Sequence, residues 1–78
     1  MSNREYRVMM SNSSSAKRSA AGKAMELEYF QDRDEAFLYA VLSKERWDTV
    51  EVCRMTNGTA ELLRRFVHGK KEFDQDGD

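Results

Sequence analysis

Apolar residues recur along this chain with two different periods, and the changes between them divide it into elements. Within residues 4–10, REYRVMM, the side chains of Tyr6, Val8 and Met10 share one side of a period-two pattern. β-friendly residues at that spacing predict a short strand. Residues 23–31, KAMELEYFQ, alternate more cleanly, with Met25, Leu27 and Tyr29 set against Glu26 and Glu28. That reads as a half-buried strand, its apolar side inward and its acidic side to water.

At residues 32–46, DRDEAFLYAVLSKER, the period changes. At about 100° per residue Phe37, Leu38, Val41 and Leu42 fall in one arc, while Ala36, Tyr39 and Ser43 point elsewhere. The segment is expected to be an amphipathic helix laid down on that arc. Asp32 is placed to cap its N-terminus, and Glu35, three residues on, completes a capping box. Asp34 and Glu35 in the first turn, and Lys44 and Arg46 near the far end, complement the macrodipole.

Residues 47–55, WDTVEVCRM, return to a period of two, with Val50 and Val52 on one face and Thr49, Glu51 and Cys53 on the other. Asn57-Gly58 follows, a strong short hairpin signal because both residues tolerate positive φ. Residues 59–68 admit two readings. Leu62, Leu63, Phe66 and Val67 have helical spacing, and Gly69 could end a helix. A two-residue turn at 57–58, however, would set Arg54 opposite Glu61, Glu51 opposite Arg64, and Val52 opposite Leu63. Such complementary cross-strand pairs favour a strand, which is the preferred reading; a helix is the alternative.

The assembled expectation is a single α+β domain over residues 1–71: a small antiparallel sheet in the order β-β-α-β-β along the chain, with the helix across one face. Tyr6, Val8, Leu27, Val50, Val52 and Leu63 would pack against Phe37, Leu38, Val41 and Leu42. Residues 11–22, small and polar, read as a flexible loop, and 72–78 as an acidic, disordered tail.

Composition narrows the class. A chain of 78 residues, 35% charged and 40% apolar, supports one modest core under a charged surface. No apolar run approaches the ~20 residues of a membrane span, and the N-terminus lacks the apolar stretch of a signal peptide. The expected compartment is the cytoplasm, which suits the single cysteine, Cys53. The net charge of −1 conceals blocks: +4 over residues 1–23, −5 over 24–51, +4 over 52–71 and −4 over 72–78. Blocks of that kind can steer a charged partner or pair with one another on the folded surface.

Candidate chemistry is sparse. One Cys and one His, Cys53 and His68, cannot supply a metal-ligand set, and in the hairpin register Cys53 faces Leu62, away from His68. SAAGKA, residues 19–24, has neither the earlier Gly nor the later Ser or Thr of a phosphate-binding loop. Glu26 and Glu28 share a strand face, but a solvated acid pair on a strand lacks the desolvation that general acid–base work needs. The expectation is a protein without catalytic residues, metal or cofactor.

Two binding readings remain. In the first, the sheet face turned from the helix carries Cys53, Met55, Ala60, Leu62 and Phe66, an apolar surface able to close a homodimer or receive another protein. Tyr39 is a possible anchor, and Trp47 a weaker one that reads more readily as core. The tentative partner-binding residues are Glu26, Glu28, Asp34, Glu35, Tyr39, Met55, Leu62 and Phe66. In the second, basic residues around 4–23 and 54–71, chiefly Lys17, Arg18, Lys23, Arg54, Arg64 and Arg65, contact nucleic acid, with Tyr6, Tyr29 and Phe30 as stacking rings.

The inferred layout, from about Arg4 to His68, resembles the very small inhibitors encoded by phages and other mobile elements, anti-CRISPR proteins among them. No motif is shared, so no residue role is carried over. The resemblance implies blockade of a larger host complex without turnover, in the host cytoplasm. The acidic residues Glu26, Glu28, Asp32, Asp34, Glu35, Glu45, Asp48 and Glu51 would suit a basic channel on such a target. The reading preferred from sequence is therefore a non-enzymatic protein-binding module, with a small nucleic-acid-binding protein as the alternative.

Overall fold

The computed structural model describes residues 5–12 and 24–75. Five strands and one helix follow one another as β1 (Tyr6–Ser11), β2 (Met25–Phe30), α1 (Arg33–Ser43), β3 (Thr49–Thr56), β4 (Thr59–Val67) and β5 (Lys70–Asp74). The strands form one antiparallel sheet in the order β2-β1-β3-β4-β5. The α+β class and the first five elements, β-β-α-β-β, are as expected, residues 59–67 are a strand, and a fifth strand was not expected. The loop expected at 11–22 falls almost wholly outside the described residues, and Ser11 itself belongs to β1.

Turn chemistry sets both hairpins on the right of the sheet order. Asn57 and Gly58 have φ of 50° and 80°, the positive pair that a type I′ connection requires. His68 and Gly69 repeat it at 53° and 81°, joining β4 to a fifth strand that runs from Lys70 into the segment expected to be the disordered acidic tail. β5 is held there by chemistry as well as by its ladder. The Asp74 carboxylate, almost fully buried, is 3.1 Å from Arg64 and 3.1 Å from Lys71. Residues 76–78 lie outside the described residues.

The β3–β4 register begins as the sequence suggests, with Met55 opposite Ala60, Arg54 opposite Glu61 and Cys53 opposite Leu62. It then shifts by one at Val52/Cys53, so that Val52 faces Arg64 and Glu51 faces Arg65. Leu63 is the extra residue of the bulge. Beyond a bulge the faces of a strand exchange. Phe66 therefore pairs with Val50 and is buried in the core on the helix side of the sheet, and the predicted Glu51–Arg64 pair is replaced by Glu51–Arg65 at 2.7 Å.

Asp32 caps α1 as expected, its Oδ1 accepting from the Asp34 amide at 3.1 Å. At the other end Lys44 donates to the Gly69 carbonyl at 3.1 Å, tying the helix end to the β4–β5 turn. The helix lies on the sheet the other way round from the apolar arc. Its buried residues are Ala36, Ala40 and Ser43, while Leu38 and Leu42 are 60% and 68% exposed and Val41 is also exposed. The reason is volume. The sheet already presents Tyr6, Val8, Met10, Val50, Val52, Leu63 and Phe66, with Trp47 beside them, so small helix residues give the close approach that dense packing needs. Phe37 and Tyr39 flank the alanine ridge and pack on the core's edges.

A second inversion occurs in β2. Val8 pairs with Glu28 and Met10 with Glu26, so the two acids share the helix side of the sheet with fully buried residues. Met25, Leu27 and Tyr29 take the opposite side, each exposed, and Leu27 is no part of the core. β2 is an edge strand, where a helix-side position is still reached by water and a carboxylate is tolerated.

Candidate interaction surface

The face of the sheet turned from α1 has no element over it among the described residues. Its rows follow from the register. One runs Tyr29, Arg7, Cys53, Leu62; the next Leu27, Met9, Glu51, Arg65, Phe73; a third Met25, Ser11, Thr49, Val67, Lys70. Met55 and Ala60 extend the face at the hairpin tip. Met25 is 56% exposed, and Leu27, Tyr29 and Phe73 about two-fifths each. Met9, Met55 and Leu62 are half-buried and Cys53 is buried.

Charge at the centre of this face is spent internally. Arg65 donates from Nε to Glu51 at 2.7 Å and from Nη1 to Glu72 at 3.4 Å. Glu51 holds the guanidinium above its ordinary range by this hydrogen bond and by its charge. What the face offers a partner is thus apolar area around an ion cluster that already has its own counter-charges.

The residues singled out from sequence divide between three places. Met55 and Leu62 lie on the open face as expected; Phe66 does not, because the bulge turns it into the core. Asp34 and Glu35 are exposed on the first turn of α1. Glu26, Glu28 and Tyr39 come together at the β2 edge, where Tyr39 packs its ring on Phe30 at 5.3 Å between centroids. Sequence reasoning missed Met25, Leu27, Tyr29 and Phe73; the alternation of the first three was visible but not the side they take, and Phe73 fell in the segment expected to be a disordered tail. Trp47 is buried, in line with the core reading preferred for it.

Of the residues assigned to nucleic acid, Lys17, Arg18 and Lys23 lie outside the described residues. The other three are not brought together. Arg54 stacks over Tyr6 at 5.9 Å on the helix side, and Arg64 over Phe37 at 4.2 Å with Asp74 as its counter-ion. Arg65 is on the opposite face between Glu51 and Glu72.

Comparison with family models, with curated proteins and with solved structures finds no match to this chain.

Cys53 and His68 stay apart as the register implied: the thiol is buried beside Arg7 Nη2 at 3.9 Å, and the exposed imidazole is 3.8 Å from Asp48. Among the described residues no group of three or more His, Cys, Asp or Glu is placed to hold a metal ion. No helix among them is long and apolar enough to cross a membrane.

The Tyr39 phenol is raised above 10.0, first by burial and then by the charges of Glu28 and Glu26. A tyrosine whose folded value lies above its unfolded one adds stability that is complete below the unfolded value. That stability is lost as pH rises through the folded value. In a near-ultraviolet absorbance titration Tyr39→Phe should therefore remove the phenol that burial and the two carboxylates raise, and Glu28→Gln should bring the Tyr39 phenol down. An unchanged Tyr39 titration in Glu28→Gln would place the carboxylate away from the ring.

Proposed function

We propose that this protein is a non-enzymatic protein-binding module that acts by laying the open face of its sheet on another protein. The observation carrying this reading is that Met25, Leu27, Tyr29 and Phe73 are exposed together on the face that also bears Met9, Met55 and Leu62. Apolar area of that kind gains free energy when water leaves it, at about 25 cal/mol per Å². Occupying a partner's surface without turnover suits a small domain of one sheet and one helix. Blockade of a larger host complex, CRISPR effectors included, is the form of that mode which the layout suggests.

The test is proximity cross-linking in the native host followed by mass spectrometry, with Leu62→Lys/Phe73→Lys as the open-face variant and Leu42→Lys as a helix control. A partner recovered by wild type and the control but lost from the double variant supports the reading; partners indifferent to the open face overturn it. Sedimentation distinguishes a second copy of the chain from another protein. A mass near 9.1 kDa at high concentration excludes the copy. Steep, salt-sensitive affinity for generic DNA or RNA would instead favour the basic-segment reading.

A further inference from the structure

The two edges of the sheet are unlike. β5 carries Lys70, Lys71 and Glu72 and has a register shift in its pairing with β4, both common protections of an exposed edge. β2, MELEYF, has no Pro, Gly or Lys and pairs with β1 in unbroken register over its whole length. Among the described residues nothing pairs with its outer side, so alternate backbone N–H and C=O groups point away from the sheet.

Its side chains say what could pair there. Glu26 and Glu28 lie on the helix side, roughly 7 Å apart along the strand, and both are half-buried. Among the described residues no hydrogen bond or ion pair joins either to a partner, and their charges act on the Tyr39 phenol of α1. Arg46 acts on the same phenol without pairing to either acid. A cation brought beside the two carboxylates would form charge-assisted hydrogen bonds that no described residue supplies.

A second copy cannot supply it. Antiparallel pairing of two β2 edges keeps opposite residues on one face. Centring the pair on Leu27 sets Glu26 against the second copy's Glu28, and centring on Glu28 sets that residue against its counterpart. Like charges directly opposite destabilise a strand pair.

We infer that the free edge of β2 accepts an extended segment of a partner protein with Lys or Arg at alternate positions, which adds as a sixth strand and sets its cations against Glu26 and Glu28. The intervening side chains of that segment, apolar ones, continue the row of Met25, Leu27 and Tyr29 on the open face. Main-chain hydrogen bonds provide affinity and the alternate side chains specificity, as in other strand additions. The inference rests on the protein-binding reading for the class of occupant, but it concerns a different surface.

The experiment uses the full chain, ¹⁵N-labelled, and a short capped peptide of alternating Val and Lys at roughly millimolar concentration. Amide shifts are expected at β2 and at Tyr39, and Glu26→Gln/Glu28→Gln should weaken binding about five- to tenfold. Methylating the peptide nitrogens that face β2 should abolish it. Three results overturn the inference: no perturbation, equal binding of an alternating Val-Glu peptide, or undiminished binding of the methylated peptide, which would mean charge attraction without a strand. Leu62→Lys/Phe73→Lys leaves the edge intact and should bind the peptide like wild type, so failure here and failure of the open-face reading are separable.

Discussion

Replacing Ala40 by Leu is expected to destabilise the fold by about 1 to 3 kcal/mol. Replacing Leu42 by Ser should change stability by no more than about 0.5 kcal/mol. By hydrophobic pattern the outcome would be the reverse, since Leu42 belongs to the large apolar arc and Ala40 to the remainder. The structure decides otherwise because Ala40 has no exposed surface and faces a sheet already filled by Val8, Met10, Val50 and Val52. Added carbon there must displace the helix. Leu42 is largely in water and its side chain leaves no cavity behind. A chain of this length has about 4 to 12 kcal/mol of stability in all, so the Ala40 effect is visible in a single denaturant melt. A large loss for Leu42→Ser, with Ala40→Leu tolerated, would invert the helix orientation.

Ending the chain after Gly69 is expected to cost roughly 2 to 4 kcal/mol. It removes the β4–β5 ladder, whose hydrogen bonds contribute about 1 kcal/mol each. It also removes the carboxylate of Asp74, leaving Arg64, itself mostly buried over Phe37, with no counter-ion from that strand. A disordered acidic tail would leave stability unchanged when removed. The midpoint of urea unfolding for the shortened chain separates the two, and Asp74→Ala should reproduce part of the loss.

Both predictions concern places where pattern and structure part, and they part for one reason. Alternation says that the two sides of an element differ, without saying which side its neighbours will cover. In β2 the acids look like the solvent side until Val8 and Met10 take them as cross-strand neighbours. In α1 the alanine ridge is apolar too, and it is the bulk of the facing sheet that selects it. Phe66 changes face because one extra residue, Leu63, enters the β4 side of the ladder. The same bulge carries Arg65 to Glu51, so a single insertion moves one aromatic ring into the core and one ion pair onto the open face.

Local chemistry was legible at the level of elements. Asp32 marks the helix start by its own hydrogen bond, and Asn57-Gly58 marks the hairpin by its backbone freedom; neither needs any distant residue. His68-Gly69 makes the same kind of turn, and reading 72–78 as a disordered acidic tail concealed β5. The candidate surface was legible only in Cys53, Met55, Ala60 and Leu62, which precede the bulge in register. Met25, Leu27, Tyr29 and Phe73 joined it through strand order and pairing, which are long-range. The sequence by itself determined where four of the strands, the helix and one turn occur, since those follow from propensity, period and capping within a few residues. Only the tertiary structure decided which face each element buries and which edge stays open, because that depends on the volume and charge of residues brought together from far along the chain.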